Sequence, residues 1–190
     1  VEQANAPHAL RFPYSTQAAL AVWRALYFGP GGFEPEAGQS AAWNRGKYLT
    51  QGLGHCAACH SGRNVLGGTS LNAEFAGGLM PDATWYAPSL ASPNEAGVQR
   101  WSREQVVRLL KDGVSAHASV SGPMAEVVFT STQYLTEQDL DAMARYLASI
   151  PVSEEPPAEP RRADAETMAA GRKVYEQHCA ACHGDRGEGV

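Results

Sequence analysis

The sequence has little of what a membrane span, a nucleic-acid-binding surface or a disordered chain requires. The apolar stretch from Ala18 to Val22 is far shorter than the roughly 20 residues of a membrane-spanning helix. Fifteen Lys and Arg against twenty Asp and Glu give a formal charge of -5, which excludes the concentrated basic surface of a nucleic-acid partner. With 44% hydrophobic and 18% charged residues, the 190-residue chain predicts a folded protein of one to two domains. The first residues show no leader, so we expect any export signal to have been removed or to lie upstream.

Cysteine is also scarce, but its four positions form a repeated pattern. Each of two cysteine pairs is followed directly by a histidine: Cys56, Cys59 and His60, then Cys179, Cys182 and His183. The hexapeptide His-Cys-Ala-Ala-Cys-His occupies residues 55–60 and recurs at an offset of 123 residues. A repeat at this distance predicts two homologous modules.

Three kinds of site use paired cysteines at this spacing. A thioredoxin-type redox motif needs a preceding strand, whereas Gly52, Leu53 and Gly54 precede the first pair. A zinc site usually has its two halves roughly 12 to 20 residues apart, far closer than the two pairs here. Cys-x-x-Cys-His is the attachment signal for c-type haem, because the thiols add to the porphyrin vinyl groups and the adjacent histidine binds the iron. Haem is therefore the predicted cofactor.

At least one haem c is expected, and two if the second motif is occupied. The first would be attached through Cys56 and Cys59 with His60 as iron ligand. The second would use the equivalent residues Cys179, Cys182 and His183.

Four methionines compete for the sixth iron position, where a thioether favours electron transfer. Met143 and Met168 are predicted to be packing residues. Met80 and Met124 follow the first motif and adjoin prolines, and Met124 is preferred because it lies on a predicted loop just before the last helix of its module. A core role for Met124 stays open. His117 is a rival ligand, although a lone histidine more often faces solvent.

The remaining pattern predicts an all-α module with long loops that pack on the haem. Four helices are expected, one at 16–28, one capped by Ser40 and ending near Gly52, one capped by Ser102 and ending at Gly113, and one from Thr136 to Ile150. Ser102 and Gln105 resemble a capping box. Residues 63–100 are rich in Gly, Pro, Asn and Ser and predict loops without an alternating strand pattern.

The C-terminal part divides into two predicted segments. Residues 151–166 are rich in proline and charge, which is typical of a semi-extended linker. A helix over 167–177 then leads into the second motif, and only seven residues follow. We expect this second module to be incomplete.

Several segments resemble one known family. They are 44–49 leading into 54–60, Trp101-Ser102, Gly113-Val114, Gly122-Pro123-Met124 and Tyr134-Leu135-Thr136. Together they resemble the middle haem domain of the multihaem cytochrome c subunits of periplasmic membrane-bound dehydrogenases, such as the alcohol dehydrogenase cytochrome subunit.

This resemblance implies a class I cytochrome c-like fold and a domain plan. Residues 1–35 would be the tail or connector of a preceding haem domain, 36–150 one cytochrome c domain, and 167–190 the truncated start of another. The family pattern also places its methionine ligand at Met124. No first haem motif is present and the last domain stops short, which departs from the usual three haem domains.

Polar contacts to the haem propionates are expected from a further set of side chains, and Pro88 is expected to shape the wall beside the ring. The candidates are Arg63, Asn64, Trp85, Tyr86 and Trp101.

The favoured function is electron transfer from a catalytic dehydrogenase subunit toward quinone or a terminal oxidase. The alternative is a multihaem redox enzyme of the thiosulfate dehydrogenase or peroxidase type.

Thioether attachment of haem takes place outside the bacterial cytoplasm, so the motif predicts a periplasmic location, compatible with peripheral association at the outer face of the inner membrane.

Overall fold

A computed structural model describes residues 7, 9–69, 74–80, 84–153 and 163–187. The chain divides into two compact units, residues 1–155 and 156–190. No helix in these described ranges combines the length and the apolar character needed to cross a bilayer.

The first unit is helical, which confirms the predicted fold class. Its elements in chain order are α1 Gln17–Tyr27, α2 Ala41–Lys47, a π-helical continuation Tyr48–Leu53, α3 Ala57–His60, β1 Gly78–Leu79, β2 Tyr86–Ala87, α4 Arg103–Asp112, α5 Gly122–Thr130, a 3-10 turn Thr132–Tyr134 and α6 Glu137–Ala148. The two short strands pair antiparallel, with Gly78 opposite Ala87 and Leu79 opposite Tyr86. This small sheet lies within the segment that was predicted to be loop.

The predicted helix caps are confirmed by hydrogen bonds. Ser40 Oγ accepts from Trp43 N, Ser102 Oγ from Gln105 N and Thr136 Oγ1 from Asp139 N. The capping box is incomplete, because Gln105 Oε1 accepts from Ala116 N at 2.7 Å and so fastens the loop after α4. Gly113 ends α4 in the left-handed conformation at φ 74°, which glycine adopts without steric cost.

The core of the first unit forms where α6 crosses α2. The predicted apolar face of α6 is buried, including Met143, which confirms the packing role of that methionine. Gly46 permits close contact, because a Cβ at this position would lie 1.9 Å from the backbone oxygen of Ala142. The π-helical segment, α4 and the connecting segments complete the core. Their buried residues are Leu49, Phe75, Val98, Val106 and Leu110.

The segment around Met124 differs from the prediction. It was expected to be a loop, but residues 122–130 form α5, with Pro123 in the first turn. Proline fits there because its missing N–H would have no helical partner in the first turn. Gly and Pro in the sequence therefore marked the start of a helix.

The second unit contains α7 Ala165–His178 and α8 Ala180–His183. Asp164 caps α7 by accepting a hydrogen bond from Thr167 N at 2.7 Å, so the helix begins two residues before the predicted start. Residues 165–166 thus belong to the helix, and most of the predicted linker lies outside the described residues. The predicted packing role of Met168 is wrong: its side chain is 63% exposed, because α7 buries none of its residues.

Candidate haem site

The first cysteine motif folds into one tight helical turn. Cys59 N donates to the Cys56 oxygen at 3.2 Å, and His60 N donates to the same oxygen at 2.9 Å. Cys56 N in turn donates to Thr50 O at 3.0 Å, which ties the turn to the π-helical segment. Both thiols are free. The chain therefore presents two thiols and one imidazole within five consecutive residues.

The imidazole of His60 is oriented by a residue far away in sequence. Its Nδ1 lies 2.7 Å from the backbone oxygen of Pro88. A carbonyl oxygen can only accept, so Nδ1 carries the proton and Nε2 presents a lone pair. The predicted place of Pro88 in the wall beside the ring stays a prediction, and its carbonyl in addition fixes the tautomer that a metal ligand needs.

Burial adjusts the protonation of two groups of the motif. Burial lowers the pKa of His60, and this effect is larger than that of the hydrogen bond to Pro88, which raises the pKa. A neutral ring is the form that binds a metal ion. Burial likewise raises the pKa of Cys56 to about 11, so this thiol is protonated at neutral pH.

Met124 packs beside the same core as Cys56, whereas Met143 is a buried member of that core. Met124 is half-buried in the first turn of α5 and packs on the hydrophobic cluster that Cys56 also contacts. Met80 is half-buried too, beside β2, where its N donates to Trp85 O. His117, the rival ligand, is exposed and stacks on Trp101 with ring centroids 4.6 Å apart. Its predicted solvent-facing role is confirmed.

The other predicted site residues make protein contacts of their own. Trp85, 46% exposed, lies against Gly122 at the start of α5, where a Cβ would come within 2.4 Å of the indole ring. Trp101 is half-buried at the edge of the core. Tyr86 is exposed, and its hydroxyl donates to Glu95 Oε2 at 3.1 Å. These three aromatic residues stay candidate propionate contacts.

Arg63 and Asn64 hold the loop that follows the first motif. The Arg63 guanidinium donates to the backbone oxygens of Gly67 and Ala58, both at 2.9 Å. Asn64 Oδ1 accepts from Leu66 N at 3.0 Å and from a second loop amide. The donors of Arg63 nearest this loop are thus used by the backbone, and its propionate contact stays a prediction.

The second motif repeats the local geometry of the first. Cys182 N and His183 N donate to the Cys179 oxygen at 3.2 and 2.9 Å, and both thiols are free. Tyr175 Oη donates to Gly184 O at 2.6 Å and closes the turn behind the motif. The turn from the first cysteine to the histidine is therefore repeated, but the residue before it is not: His55 has φ 37°, whereas His178 ends α7. His183 is exposed, and His60 is half-buried.

Covalent haem fits the donor set of the first motif. Two free thiols suit the vinyl groups, and a neutral, oriented imidazole suits the iron. A thioether lies on a different element packed on the same core. Sequence reasoning missed the role of the Pro88 carbonyl, because a contact across 28 residues leaves no signal in local spacing.

Comparisons with known proteins agree with this donor set. The chain is 37% identical over 199 residues to the alcohol dehydrogenase (quinone) cytochrome c subunit of Gluconobacter oxydans, covering 95% of this chain and 41% of that protein. It is 32% identical over 202 residues to the fructose dehydrogenase cytochrome subunit of Gluconobacter japonicus, with coverage of 95% and 41%. It is 33% identical over 199 residues to the gluconate 2-dehydrogenase cytochrome c subunit of Pantoea cypripedii, with coverage of 96% and 45%. The resemblance to dehydrogenase cytochrome subunits is confirmed, and the chain spans less than half the length of these relatives.

One family model, described as cytochrome c, matches residues 43–151. That range contains the first haem motif, the Pro88 carbonyl, Met124 and α6. Because the match covers more than half of the chain, the chain belongs to the cytochrome c family, and its cofactor is covalently bound haem c.

Proposed function

We propose that the protein is an electron-transfer subunit that receives electrons from a catalytic dehydrogenase subunit and passes them toward quinone or a terminal oxidase. The observation that carries this proposal is the His60 imidazole, held by Pro88 O at 2.7 Å with Nε2 available as an iron ligand. The names of the relatives, cytochrome subunits of alcohol and fructose dehydrogenases, support the partner class. When bound, haem c supplies a one-electron Fe(III)/Fe(II) couple.

The proposed iron ligands are His60 and Met124. His60 and Met124 would hold the iron between an imidazole and a thioether, a ligand pair that would raise the reduction potential, as suits electron transfer. The half-buried position of Met124 against the core supports this role, since a ligand on a packed helix is held in place. The propionates would meet Trp85, Tyr86, Trp101 and Arg63.

The proposed domain plan assigns residues 36–150 to one haem domain and 167–190 to the start of another, with 1–35 as a connector. The repeated motif geometry supports a second haem at His183. We propose a periplasmic location at the outer face of the inner membrane, since haem is attached to such motifs outside the bacterial cytoplasm.

Optical spectra of the haem-loaded protein test the proposed function. We expect a far-red charge-transfer band in the oxidised state, the mark of sulfur bound to ferric haem, and slow binding of cyanide and carbon monoxide. Reduction and reoxidation should be reversible at an electrode. Rapid ligand binding by the resting haem, or turnover of peroxide or thiosulfate, would overturn the proposal in favour of a haem enzyme.

The number of haems tests the role of the second motif. We expect two haems per chain by pyridine haemochrome assay, and an intact mass that exceeds the polypeptide by two haem groups. Replacing Cys179 and Cys182 with alanine should lower the count to one and leave the spectrum of the first haem unchanged. A count of one in the unsubstituted chain, produced with the haem attachment machinery, would contradict the second site.

A further inference from the structure

The hydrogen bond that orients His60 continues beyond Pro88. The peptide group between Pro88 and Ser89 has its carbonyl oxygen 2.7 Å from His60 Nδ1. The N–H of that same peptide group, on Ser89, donates to Glu95 Oε2 at 2.7 Å. One planar amide therefore links a carboxylate to the imidazole.

We propose that Glu95 is a positioning residue that tunes the haem potential through this amide, which we call the Glu95 relay: Glu95 carboxylate, Pro88–Ser89 peptide, His60. Metal-bound histidines commonly donate their second N–H to a carboxylate or a carbonyl, and this raises the basicity of the ligand. Here a carbonyl accepts the hydrogen bond from Nδ1–H, and a carboxylate polarises that carbonyl from the N–H side of the same amide. The proposal rests on His60 being the iron ligand.

The physical basis is the cooperativity of hydrogen bonds in series. A negative charge on the N–H side of an amide draws its electrons toward the oxygen, because the C–N bond is partly double. The oxygen then accepts more strongly from Nδ1–H, and Nε2 becomes a better electron donor. Electron density on Nε2 stabilises ferric over ferrous iron and lowers the potential.

The surrounding contacts fix the positions of the Ser89 amide and the Glu95 carboxylate. The Ser89 side chain is buried, and its Oγ donates to Phe75 O at 3.1 Å and accepts from Ala91 N and Ser92 N. The carboxylate of Glu95 is fixed from a second side by the Tyr86 hydroxyl at 3.1 Å. The amide and the carboxylate are therefore both pre-oriented.

Gly77 gives an independent sign that this arrangement is tightly fitted. Its N donates to His60 O at 2.8 Å. At φ 81°, a Cβ on this residue would lie 2.6 Å from the Tyr86 hydroxyl and 2.9 Å from Ser89 N. Only glycine at position 77 leaves room for these two groups, which are the hydrogen-bond donors to Glu95. The backbone next to His60 therefore accommodates the relay.

The test compares Glu95→Gln and Glu95→Ala with the unsubstituted haem-loaded protein by potentiometric titration. The amide of Gln keeps an acceptor for Ser89 N–H but removes the charge. We expect both variants to shift the Fe(III)/Fe(II) equilibrium toward the reduced form by about threefold to tenfold, tenfold being about 59 mV for one electron. In the reduced protein, the His60 Nδ1–H resonance should move upfield and its hydrogen exchange should quicken.

Glu74→Gln is the matched control. Glu74 is also an exposed carboxylate, bonded to Gln51 Nε2 at 2.8 Å, and lies in the segment next to Phe75. Its removal changes the charge without touching the relay, and its effect should vanish at high salt because exposed charges are screened. The shift in reduction potential caused by Glu95→Gln should persist at high salt.

Two results would overturn the relay. One is a reduction potential that stays unchanged in Glu95→Gln and changes only in Glu95→Ala. This result would mean that Glu95 only holds the loop in place. The other is a salt-sensitive shift equal to that of Glu74→Gln, which would mean a general charge effect. Failure of His60 as iron ligand is distinguished separately, because the unsubstituted protein would then lack the low-spin spectrum in the first place.

Discussion

Replacing Met124 with leucine is expected to abolish the far-red band of the oxidised protein, lower its reduction potential and open the haem to ligands. Leucine keeps the volume of the side chain, so we expect the fold to lose less than about 1.5 kcal/mol. As the proposed iron ligand, the Met124 sulfur would stabilise ferrous iron, so its loss should lower the potential on the order of 0.1 V, within the roughly 0.8 V that axial ligands span. Carbon monoxide should then bind within the mixing time. Optical titration and stopped-flow mixing measure these changes.

Met80→Leu is the control for this prediction. Met80 also adjoins a proline and is half-buried, but it lies beside the small sheet, where its N donates to Trp85 O. This variant should keep the far-red band and the slow ligand binding of the unsubstituted protein. The opposite pattern, with the band lost in Met80→Leu and kept in Met124→Leu, would move the proposed ligand to the sheet and leave Met124 as a core residue.

The parts of the fold that the sequence predicts well are those whose signals are local. Ser40, Ser102 and Thr136 each precede a helix by one residue, and each side chain accepts the hydrogen bond that defines a cap. The apolar spacing of α6 is likewise local, and its face is buried as expected. A helix start or an apolar stripe depends on neighbours within about one turn, so the local sequence is sufficient to predict it.

The parts that the sequence does not predict depend on contacts between distant segments. The acceptor for His60 lies on Pro88, and the carboxylate that polarises this acceptor lies on Glu95. No spacing rule links these residues. The helix α5 was missed for another reason: Gly122 and Pro123 are ordinarily loop residues, and only their place before a packed turn makes them a helix start.

The crossing of α2 and α6 is the place where one added methyl group is expected to do the most damage to stability. Gly46→Ala places a Cβ 1.9 Å from Ala142 O and 2.5 Å from its carbonyl carbon, both backbone atoms that cannot rotate away. The helices must separate, which loosens the packing of Trp43 on Tyr146, whose ring centroids are 5.2 Å apart. Alanine gains about 1 kcal/mol of helix propensity over glycine, yet we expect a net loss of about 2 kcal/mol.

Denaturant unfolding of the haem-loaded protein measures this loss, which should also lower Tm by about 4 to 8 °C. Because α2 continues through the π-helical segment into the first motif, where Thr50 O accepts from Cys56 N, we further expect less haem to be incorporated. Gly52→Ala is the control, since its Cβ would meet only the Tyr48 ring at 3.6 Å, an ordinary contact. If Gly46→Ala unfolds at the same denaturant concentration as Gly52→Ala, the close crossing does not limit stability.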